Sequence, residues 1–257
     1  MVPKILVAAP VFSEMAYCIL DFINHLKQMD YDNLKILLVD NSKSKNFFLK
    51  LRKIPRIKII YDETKEQENL GRLINSRNKI LDYAEKKHCD YLLMMDSDVM
   101  APPNLLNKLL AHKKDVVSGL YFNYFKSDGQ IKVLPVAYKS LSEEEFKKIK
   151  SEYKLPNIVK SREDLRRNIT KEEIEKGELL EVLYPSSGCT LLSKRVLDSG
   201  VKYGILKTPT NLKSGDDIYF FKQLRKKGFK IYCDPSVICR HDVQGKRNSE
   251  GQHPLYK

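Results

Sequence analysis

The chain has 257 residues, of which 42% are hydrophobic, which is enough for one large α/β domain with a sizeable core. The 46 basic residues outnumber the 33 acidic residues, and the net charge of +13 favours an anionic partner without distinguishing nucleotide phosphates, nucleic acid and membrane surfaces. The five cysteines form no CxxC pair, which excludes a disulfide framework and a zinc knuckle. No apolar run approaches the roughly 18 residues that span a bilayer, and no signal peptide is predicted. We therefore expect a cytoplasmic protein with at most a peripheral membrane contact.

Short apolar runs alternate with helical segments through the first half of the chain. Strands are predicted at residues 4–11, 35–39, 57–61, 91–95 and 115–121. Helices are predicted at residues 15–29 with Ser13 as the cap, around 47–53, from a loop at 69 to about 87, and at 104–113. This alternation is typical of a doubly wound, mostly parallel sheet, in which ligands bind beyond the carboxyl ends of the strands. The sequence contains neither a GxGxxG fingerprint nor a P-loop, so other groups must bind phosphate.

Two acids, Asp96 and Asp98, follow the strand predicted at 91–95, with Ser97 between them. If the extended geometry continues to the last residue, both carboxylates point the same way. Neighbouring carboxylates repel each other unless a cation or the hydroxyls of a ligand use them. Magnesium or manganese is held by one or two carboxylates together with water and substrate phosphates. The alternative is a polar turn or a helix cap after a strand.

Two arginines, Arg72 and Arg77, lie near the start of the helix predicted from residue 69. Helical N–H groups and a guanidinium could together bind phosphate there. The alternative is a solvated basic face, which we favour for Lys79, Lys86 and Lys87 of the same helix.

The composition changes between about residues 139 and 180, where short and highly charged helices are predicted. Three segments have the pattern of a helix-starting cap, at 142–145, 161–164 and 170–173. We interpret this region as an insertion on the α/β core. It could serve as a lid, an acceptor platform or a dimer surface, or it could be a solvated helical excursion.

Apolar segments return in the last third of the chain. Strands are predicted at residues 179–184, 186–192, 230–232 and 235–238, and helices are predicted from Ser193 and at 218–227. The small residues of 186–188 would let the backbone approach a ligand closely, although a tight turn explains them equally well.

Three further residues of this part have side chains suited to chemistry. Asp216 and Asp217 precede the helix at 218–227, a position that the helix dipole favours even without a chemical role. His241 follows a strand of a sheet that already carries an acid pair, which makes it a candidate third metal contact.

The order of these motifs resembles the GT-A glycosyltransferases, and most closely the family-2-like group of nucleotide-sugar enzymes. The resembling positions are Ile5–Val11, Val39–Asn41, Gly71, Ser76–Asn78, Asp96–Asp98, Gly188–Leu192, Gly215–Asp217, Arg225, Gly228 and His241. They cover nearly the whole chain apart from the insertion and the tail. The resemblance implies a mixed, mostly parallel, Rossmann-like sheet flanked by helices. It implies one catalytic domain over 1–242, with a nucleotide-binding half at 1–125, the insertion at 139–180, an acceptor and catalytic half at 181–242, and a tail at 243–257.

The resemblance also implies the donor site. The backbone at Ala9 and Pro10 would frame the nucleoside, and Asp40 would accept a hydrogen bond from its base. The residues expected to bind the nucleotide sugar are Ala9, Pro10, Asp40, Arg77, Asp96, Ser97 and Gly188.

A metal site and a catalytic base follow from the same resemblance. Asp98 and His241 would bind a divalent ion, with Asp96 facing the ribose or a metal-bound water. Asp217 would accept the proton of the acceptor hydroxyl. The family more often has Glu-Asp where this chain has Asp216 and Asp217, which leaves open which acid is the base and whether the enzyme inverts or retains configuration.

The implied function is the transfer of a sugar, in a hexosyltransferase-like reaction, from a UDP- or GDP-linked donor to an acceptor hydroxyl with Mn²⁺ or Mg²⁺ as cofactor. The acceptor could be a saccharide, a lipid-linked saccharide or a protein. The alternatives are a basic protein that binds nucleic acid or an anionic surface, and a nucleotidyltransferase that uses the same acid pair. Lysine pairs alternating with glutamate, without an arginine-rich stripe, argue against a nucleic-acid partner. The absence of a glycine-rich loop after the first strand argues against the nucleotidyltransferase. The sugar, the base, the acceptor and the oligomeric state stay open.

Overall fold

The computed structural model describes residues 2–64, 68–127, 130–155, 159, 161–206 and 215–242. The tail predicted at 243–257 therefore lies outside the described residues. The strands are β1 Ile5–Val11, β2 Leu34–Asp40, β3 Ile57–Tyr61, β4 Tyr91–Met95, β5 Val99–Met100, β6 Val116–Leu120, β7 Phe122–Ser127, β8 Gln130–Pro135, β9 Tyr138–Ser140, β10 Arg166–Asn168, β11 Leu180–Glu181, β12 Cys189–Ser193, β13 Tyr232–Ile238 and β14 Arg240–His241.

The helices lie mainly between these strands. They are α1 Ile19–Lys27, α2 Asn46–Leu51, α3 Asn69–Lys86, α4 Leu105–Ala111, α5 Glu143–Glu152, α6 Lys171–Lys176, α7 Lys194–Leu197 and α8 Asp216–Lys226, with 3-10 helices at Ser13–Tyr17 and Arg162–Asp164. None of the helices in the described ranges is long and apolar enough to cross a membrane.

An eight-stranded sheet in the order β11-β13-β6-β12-β4-β1-β2-β3 forms the centre of the protein. The strands from β4 through β1 and β2 to β3 run parallel, and so do β13 and β6. In contrast, β12 runs antiparallel to both β4 and β6, and β11 runs antiparallel to β13. The mixed, mostly parallel sheet predicted from the sequence is confirmed.

Both faces of the sheet are covered, which explains why its central strands are continuous apolar runs. Every residue of β1 is buried. Ile5 belongs to the apolar cluster on the face that α1 covers, together with Phe22, whereas Leu6 belongs to the cluster on the opposite face, together with Ile80 of α3. Parallel strands buried on both faces carry their polar residues at the ends, so the sheet's carboxyl edge is where chemistry can be placed.

The first predicted helix is wrong in its start and its cap. Residues 15–29 are not one helix, because a 3-10 turn at Ser13–Tyr17 precedes α1. The side chain of Ser13 caps nothing; its N–H donates to Ser42 Oγ at 2.8 Å. Leu20 is 64% exposed, while Phe22 is fully buried. Within α1 the buried residues keep helical spacing, at Ile19, Phe22, Ile23 and Leu26.

The last third also differs from the prediction. The two strands expected at 230–232 and 235–238 are one strand, β13, whose register shifts between Cys233 and Ile238. Pro235 lies within the shift, and a proline has no N–H to donate to the ladder. The strand expected at 179–184 is reduced to β11.

The insertion contains the expected capped helices. Capping boxes begin at Ser142, Ser161 and Thr170, as the sequence predicts. The sequence did not predict the small sheet formed by β9 and β10, nor the β7–β8 hairpin that precedes it.

Candidate active site

The acid motif after β4 folds as a turn. The strand ends at Met95, and the N–H of Val99 donates to the carbonyl of Asp96 at 3.0 Å. Because the extended geometry does not continue, strand alternation cannot align the side chains of Asp96 and Asp98. The two carboxylates have different partners, described below.

Asp98 lies beside His241. The short strands β5 and β14 pair antiparallel, which places His241 opposite Val99, and the N–H of Asp242 donates to the carbonyl of Asp98 at 2.7 Å. His241 Nε2 is 3.4 Å from Asp98 Oδ2. Its Nδ1 is 3.0 Å from the carbonyl of Phe122, so Nδ1–H donates there and Nε2 is turned toward the carboxylate. Burial lowers the pKa of His241. Asp98 and the Phe122 carbonyl together raise it by more, so the pKa lies above its ordinary value.

Asp96 is bound to Arg77 instead. Arg77 Nη2 donates to Asp96 Oδ1 at 2.5 Å, and Nη1 donates to Asp216 Oδ2 at 2.7 Å. The guanidinium lies 5.3 Å from the ring centroid of Tyr203, and its side chain is 5% exposed. Burial raises the pKa of Asp96, and so does the nearby Asp98, while Arg77 lowers it. Arg77 lies in the third turn of α3, not at its start, and both ends of its guanidinium are held by carboxylates.

Gly188 makes room for Asp96. The N–H of Asp96 donates to the carbonyl of Gly188 at 3.0 Å, and a Cβ atom at position 188 would lie 2.7 Å from Asp96 Oδ2. The N–H of Gly188 donates to the hydroxyl of Tyr121 at 3.4 Å. A glycine is therefore needed here for packing within the protein, independently of any ligand.

The two acids at the start of α8 have different surroundings. Asp216 is 4% exposed and paired with Arg77. Asp217 is only partly buried, and its Oδ1 accepts the N–H of Ile218 at 2.7 Å. Burial chiefly, with the charge of Asp217 as a smaller cause, raises the pKa of Tyr121 and Tyr203. These tyrosines lie around Gly188 and Arg77, so the charge of Asp217 is within electrostatic range of the region around the acid motif.

Two adjoining cavities lie at the carboxyl ends of the strands. The first, of about 150 Å³, is lined by Pro10, Phe12, Met15, Asn41, Leu73, Arg77, Asp96, Ser97 and Asp98. The second, of about 170 Å³, is lined by Asn41, Ser42, Lys43, Tyr61, Asp62, Thr64 and Arg72. Four of the residues predicted to bind the nucleotide sugar therefore line one cavity, and Asn41 connects it to the next.

Ala9 and Asp40 are buried behind these cavities. Ala9 is fully buried in β1 and lines neither cavity. Asp40 Oδ1 accepts from the N–H of Ser42 at 2.9 Å and from Ser42 Oγ at 2.5 Å. Burial raises the pKa of Asp40, and these bonds lower it in part.

The comparison with protein families decides the relationship. The model of the family described as glycosyl transferase family 2 matches residues 7–200, which is most of the chain. This chain belongs to glycosyl transferase family 2. The predicted resemblance is confirmed.

Individual relatives of this family 2 chain are distant. Glycosyltransferase GlyG of Streptococcus pneumoniae serotype 4 is 26% identical over 134 residues, which are 48% of this chain and 40% of GlyG. The solved mannosyltransferase PcManGT from Pyrobaculum calidifontis, in complex with GDP-Man and Mn²⁺, has a TM-score of 0.55 at 14% identity, over 96% of this chain and 59% of that one. GalNAc-T7 with UDP, GalNAc and Mn²⁺ has a TM-score of 0.61 at 13% identity, over 95% of this chain and 45% of that one.

These comparisons confirm the GT-A fold. The chain spans less than two thirds of the length of each of the three relatives.

Two side chains of this family 2 chain, Asp98 and His241, are placed to bind a divalent metal ion together. No three His, Cys, Asp or Glu side chains of the described ranges converge as a metal site. Asp98 and His241 lie together, whereas Asp96, the third residue predicted at the metal site, is hydrogen-bonded to Arg77. One carboxylate and one imidazole remain, and one carboxylate suffices for Mn²⁺ or Mg²⁺ when waters and phosphate oxygens complete the coordination.

Several polar residues around the cavities were missed from the sequence. Asn41 Nδ2 donates to Ser76 Oγ at 3.2 Å, and Ser76 Oγ donates to Asp62 Oδ2 at 2.9 Å. Lys79, expected on a solvated face, donates to Asp62 Oδ1 at 2.5 Å. Asp62 follows β3 as Asp40 ends β2, so its place after a strand was a usable signal. The ring centroid of Tyr121 is 5.1 Å from that of His241, and no sequence signal pointed to Tyr121.

Proposed function

We propose that this chain is a glycosyltransferase that moves a sugar from a nucleotide-diphosphate sugar to an acceptor hydroxyl, with Mn²⁺ or Mg²⁺ held by Asp98 and His241. The observation that carries the proposal is the pairing of β5 with β14, which brings these two side chains within 3.4 Å beside the cavity at the strand ends. The names of PcManGT with GDP-Man and of GalNAc-T7 with UDP support a GDP- or UDP-linked donor. The family match supports this reaction over a nucleotidyltransferase and over a binder of nucleic acid or anionic surfaces.

A bound divalent ion would supply positive charge to the departing diphosphate. The chain's own residues prepare the site. The Phe122 carbonyl accepts the Nδ1–H of His241, which directs Nε2 toward Asp98, where the two side chains would hold the ion together. Arg77 holds Asp96 and Asp216 in place. Pro10 and Asn41 line the space where the nucleoside would lie, with Asp40 buried behind it as the expected partner of the base.

The surroundings of the two α8 acids favour Asp217 as the general base. Asp216 is buried, and one of its carboxylate oxygens accepts a hydrogen bond from the Arg77 guanidinium. Asp217 is partly exposed and has no such partner among the described residues. It would take the proton of the acceptor hydroxyl while that oxygen bonds to the anomeric carbon and the diphosphate leaves with the electrons of the broken bond.

A thermal-shift experiment tests the proposal. The protein is heated with UDP- and GDP-linked sugars in Mn²⁺, in Mg²⁺ or in EDTA. We expect one donor class to stabilise the protein only with metal, by about 3 kcal/mol at about 100 times Kd. Asp98→Asn should abolish the metal-dependent part, whereas Asp82→Asn, a change in an exposed ion pair of α3, should keep it. The proposal fails if no donor gives a metal-dependent shift, or if both variants behave alike.

A further inference from the structure

Two arginines and two tyrosines are stacked where the insertion meets α8. Arg166 of β10 lies 4.7 Å from the ring centroid of Tyr138 and 5.5 Å from that of Tyr184. Arg225 of α8 lies 4.8 Å from the ring centroid of Tyr184. We call these four side chains the Tyr–Arg array. Stacking on aromatic faces holds a guanidinium in place and leaves its N–H edge available.

The arginines of the array differ from their neighbours in lacking an acidic partner. Arg162 pairs with Glu143 at 3.3 Å and Arg167 pairs with Glu173 at 2.8 Å. Neither Arg166 nor Arg225 has a carboxylate partner in the part of the chain that the structure describes. Arg225 uses N–H groups on the carbonyl of Leu183 and, at 3.5 Å, on the hydroxyl of Tyr184. The positive charge of both guanidiniums is therefore not neutralised by the described residues.

A basic cavity adjoins the array. It has a volume of about 480 Å³, and its basic lining residues are Arg225, Lys139, Arg162 and Lys230. Lys139, Arg162 and Lys230 are paired with Glu173, Glu143 and Glu181, so Arg225 is the basic lining residue without a carboxylate partner among the described residues. Ser140, which is paired with Arg166 across β9 and β10, lines it as well. The cavity has room for a phosphate-sized group beside the guanidinium of Arg225.

The position of the array relates it to the acceptor and not to the donor. Arg225 and Asp217 are eight residues apart on α8, which corresponds to about 12 Å along the helix axis. Tyr138 is linked to the donor-side residues through Val136, whose N–H donates to the carbonyl of Tyr121 at 2.9 Å. Burial raises the pKa of Tyr138, and the charge of Asp217 contributes to that rise. A molecule that presents a hydroxyl to Asp217 would reach the array with a more distant group.

We propose that the Tyr–Arg array binds a phosphate group carried by the acceptor, a proposal that rests on the function proposed above. A phosphate monoester carries close to two negative charges at neutral pH, which matches two guanidiniums without partners. Guanidinium forks bind phosphate oxygens through paired, charge-assisted hydrogen bonds. The phosphate could belong to a soluble sugar or to a lipid headgroup, because the recognition chemistry is the same.

Calorimetric titration with glucose 6-phosphate, without metal or nucleotide, tests the array. Glucose serves as the neutral reference and glucuronate as the carboxylate reference. We expect Arg166→Gln to weaken glucose 6-phosphate binding about tenfold. Arg195→Gln is the matched control, because Arg195 also stacks on a ring, at 5.1 Å from Phe229, but is paired with Asp115 at 2.6 Å. It should change binding less than about twofold.

The result that overturns the proposal is absent binding, or binding that Arg166→Gln leaves unchanged. Glucuronate binding as tightly as glucose 6-phosphate would overturn the phosphate assignment. Phosphatidylcholine vesicles with and without phosphatidic acid separate the sources. Binding to the phosphatidic acid vesicles that Arg166→Gln weakens supports a lipid-borne phosphate, and glucose 6-phosphate binding without vesicle binding supports a soluble acceptor. Vesicle binding that Arg166→Gln does not change overturns the role of the array.

The experiments test the Tyr–Arg array and the donor site independently of each other. Glucose 6-phosphate binding needs neither metal nor donor, so a missing donor shift contradicts the proposed function and leaves the array's phosphate binding standing. A normal donor shift with no glucose 6-phosphate binding contradicts the array alone.

Discussion

Two networks in this protein place a guanidinium between acids, and they differ in burial and in the distance along the chain that they connect. Arg77 is 5% exposed and joins Asp96 to Asp216, which lie 19 and 139 residues away. Arg167 is 26% exposed and pairs with Glu173, which lies six residues away. The first network ties three separate elements together at the site, and the second ties the insertion to itself.

The electrostatic balance in the two networks is opposite. Burial raises the pKa of Asp96 even though Arg77 lowers it. The bond from Arg167, with that of Lys139, lowers the pKa of Glu173 to about 2 against the effect of burial. Burial therefore outweighs pairing for the carboxyl of Asp96, and pairing outweighs burial for the carboxyl of Glu173. The same pair of chemical groups organises a site when buried and adds modest stability when half exposed.

The largest effect is expected from breaking the buried network. Arg77→Met leaves the buried carboxylate of Asp216 and the partly buried carboxylate of Asp96 without their cation, and we expect the free energy of unfolding in urea to fall by about 3–5 kcal/mol. Lys202→Met is the matched control, because Lys202 pairs with Asp82 of the same helix α3 at the surface. It should cost at most about 1 kcal/mol.

A second change separates charge from lost packing. Adding Asp216→Leu to Arg77→Met removes one of the stranded carboxylates, so the double variant should be more stable than Arg77→Met alone. If the double variant is instead less stable than Arg77→Met, Arg77 acts through packing. The organising role that we assign to its charge would then be wrong.

The next effect concerns the rate of transfer and sharpens the contrast between neighbouring acids. Asp217→Asn should lower the rate about 10²–10⁴-fold, because it removes the general base, while donor stabilisation with metal is retained. Asp216→Asn should instead lower stability, because it removes a partner of Arg77. Rates measured with a saturating donor, beside unfolding curves for both variants, check the assignment. The reverse pattern would make Asp216 the base.

The two networks also show what the sequence could predict. The acids of the insertion were anticipated because a capping box is local: Ser142, Ser161 and Thr170 each lie three residues from their partner. The central strands were anticipated because burial on both faces leaves continuous apolar runs. The pairing of Arg77 with Asp216 was not, because nothing in the local sequence of either residue specifies a contact across 139 positions.

The pair Asp98 and His241 could be predicted from the sequence only in part. Asp98 and His241 were expected together from the order of family motifs, but the means of bringing them together, the β5–β14 pairing, involves strands of two residues each. Such strands are too short for a periodic pattern. The expected alignment of Asp96 with Asp98 failed for a related reason, since a turn replaced the last residues of the strand.

The smallest effect is expected in the half-exposed network, where it should depend on pH. A pKa lowered from 4.5 to about 2 means that Glu173 contributes stability above pH 4.5 and loses that contribution as the pH falls toward 2. Glu173→Gln should therefore cost about 1–2 kcal/mol at pH 7, and the difference from the parent should shrink through that window. Glutamine keeps an acceptor for the N–H of Thr170, so the helix cap survives the change. Glu175→Gln, in the exposed pair with Lys171 on the same helix, should stay within about 0.5 kcal/mol at every pH. Urea unfolding curves from pH 7 to pH 2 measure both variants, and a Glu173→Gln difference that does not change with pH would show that the carboxylate's charge contributes nothing.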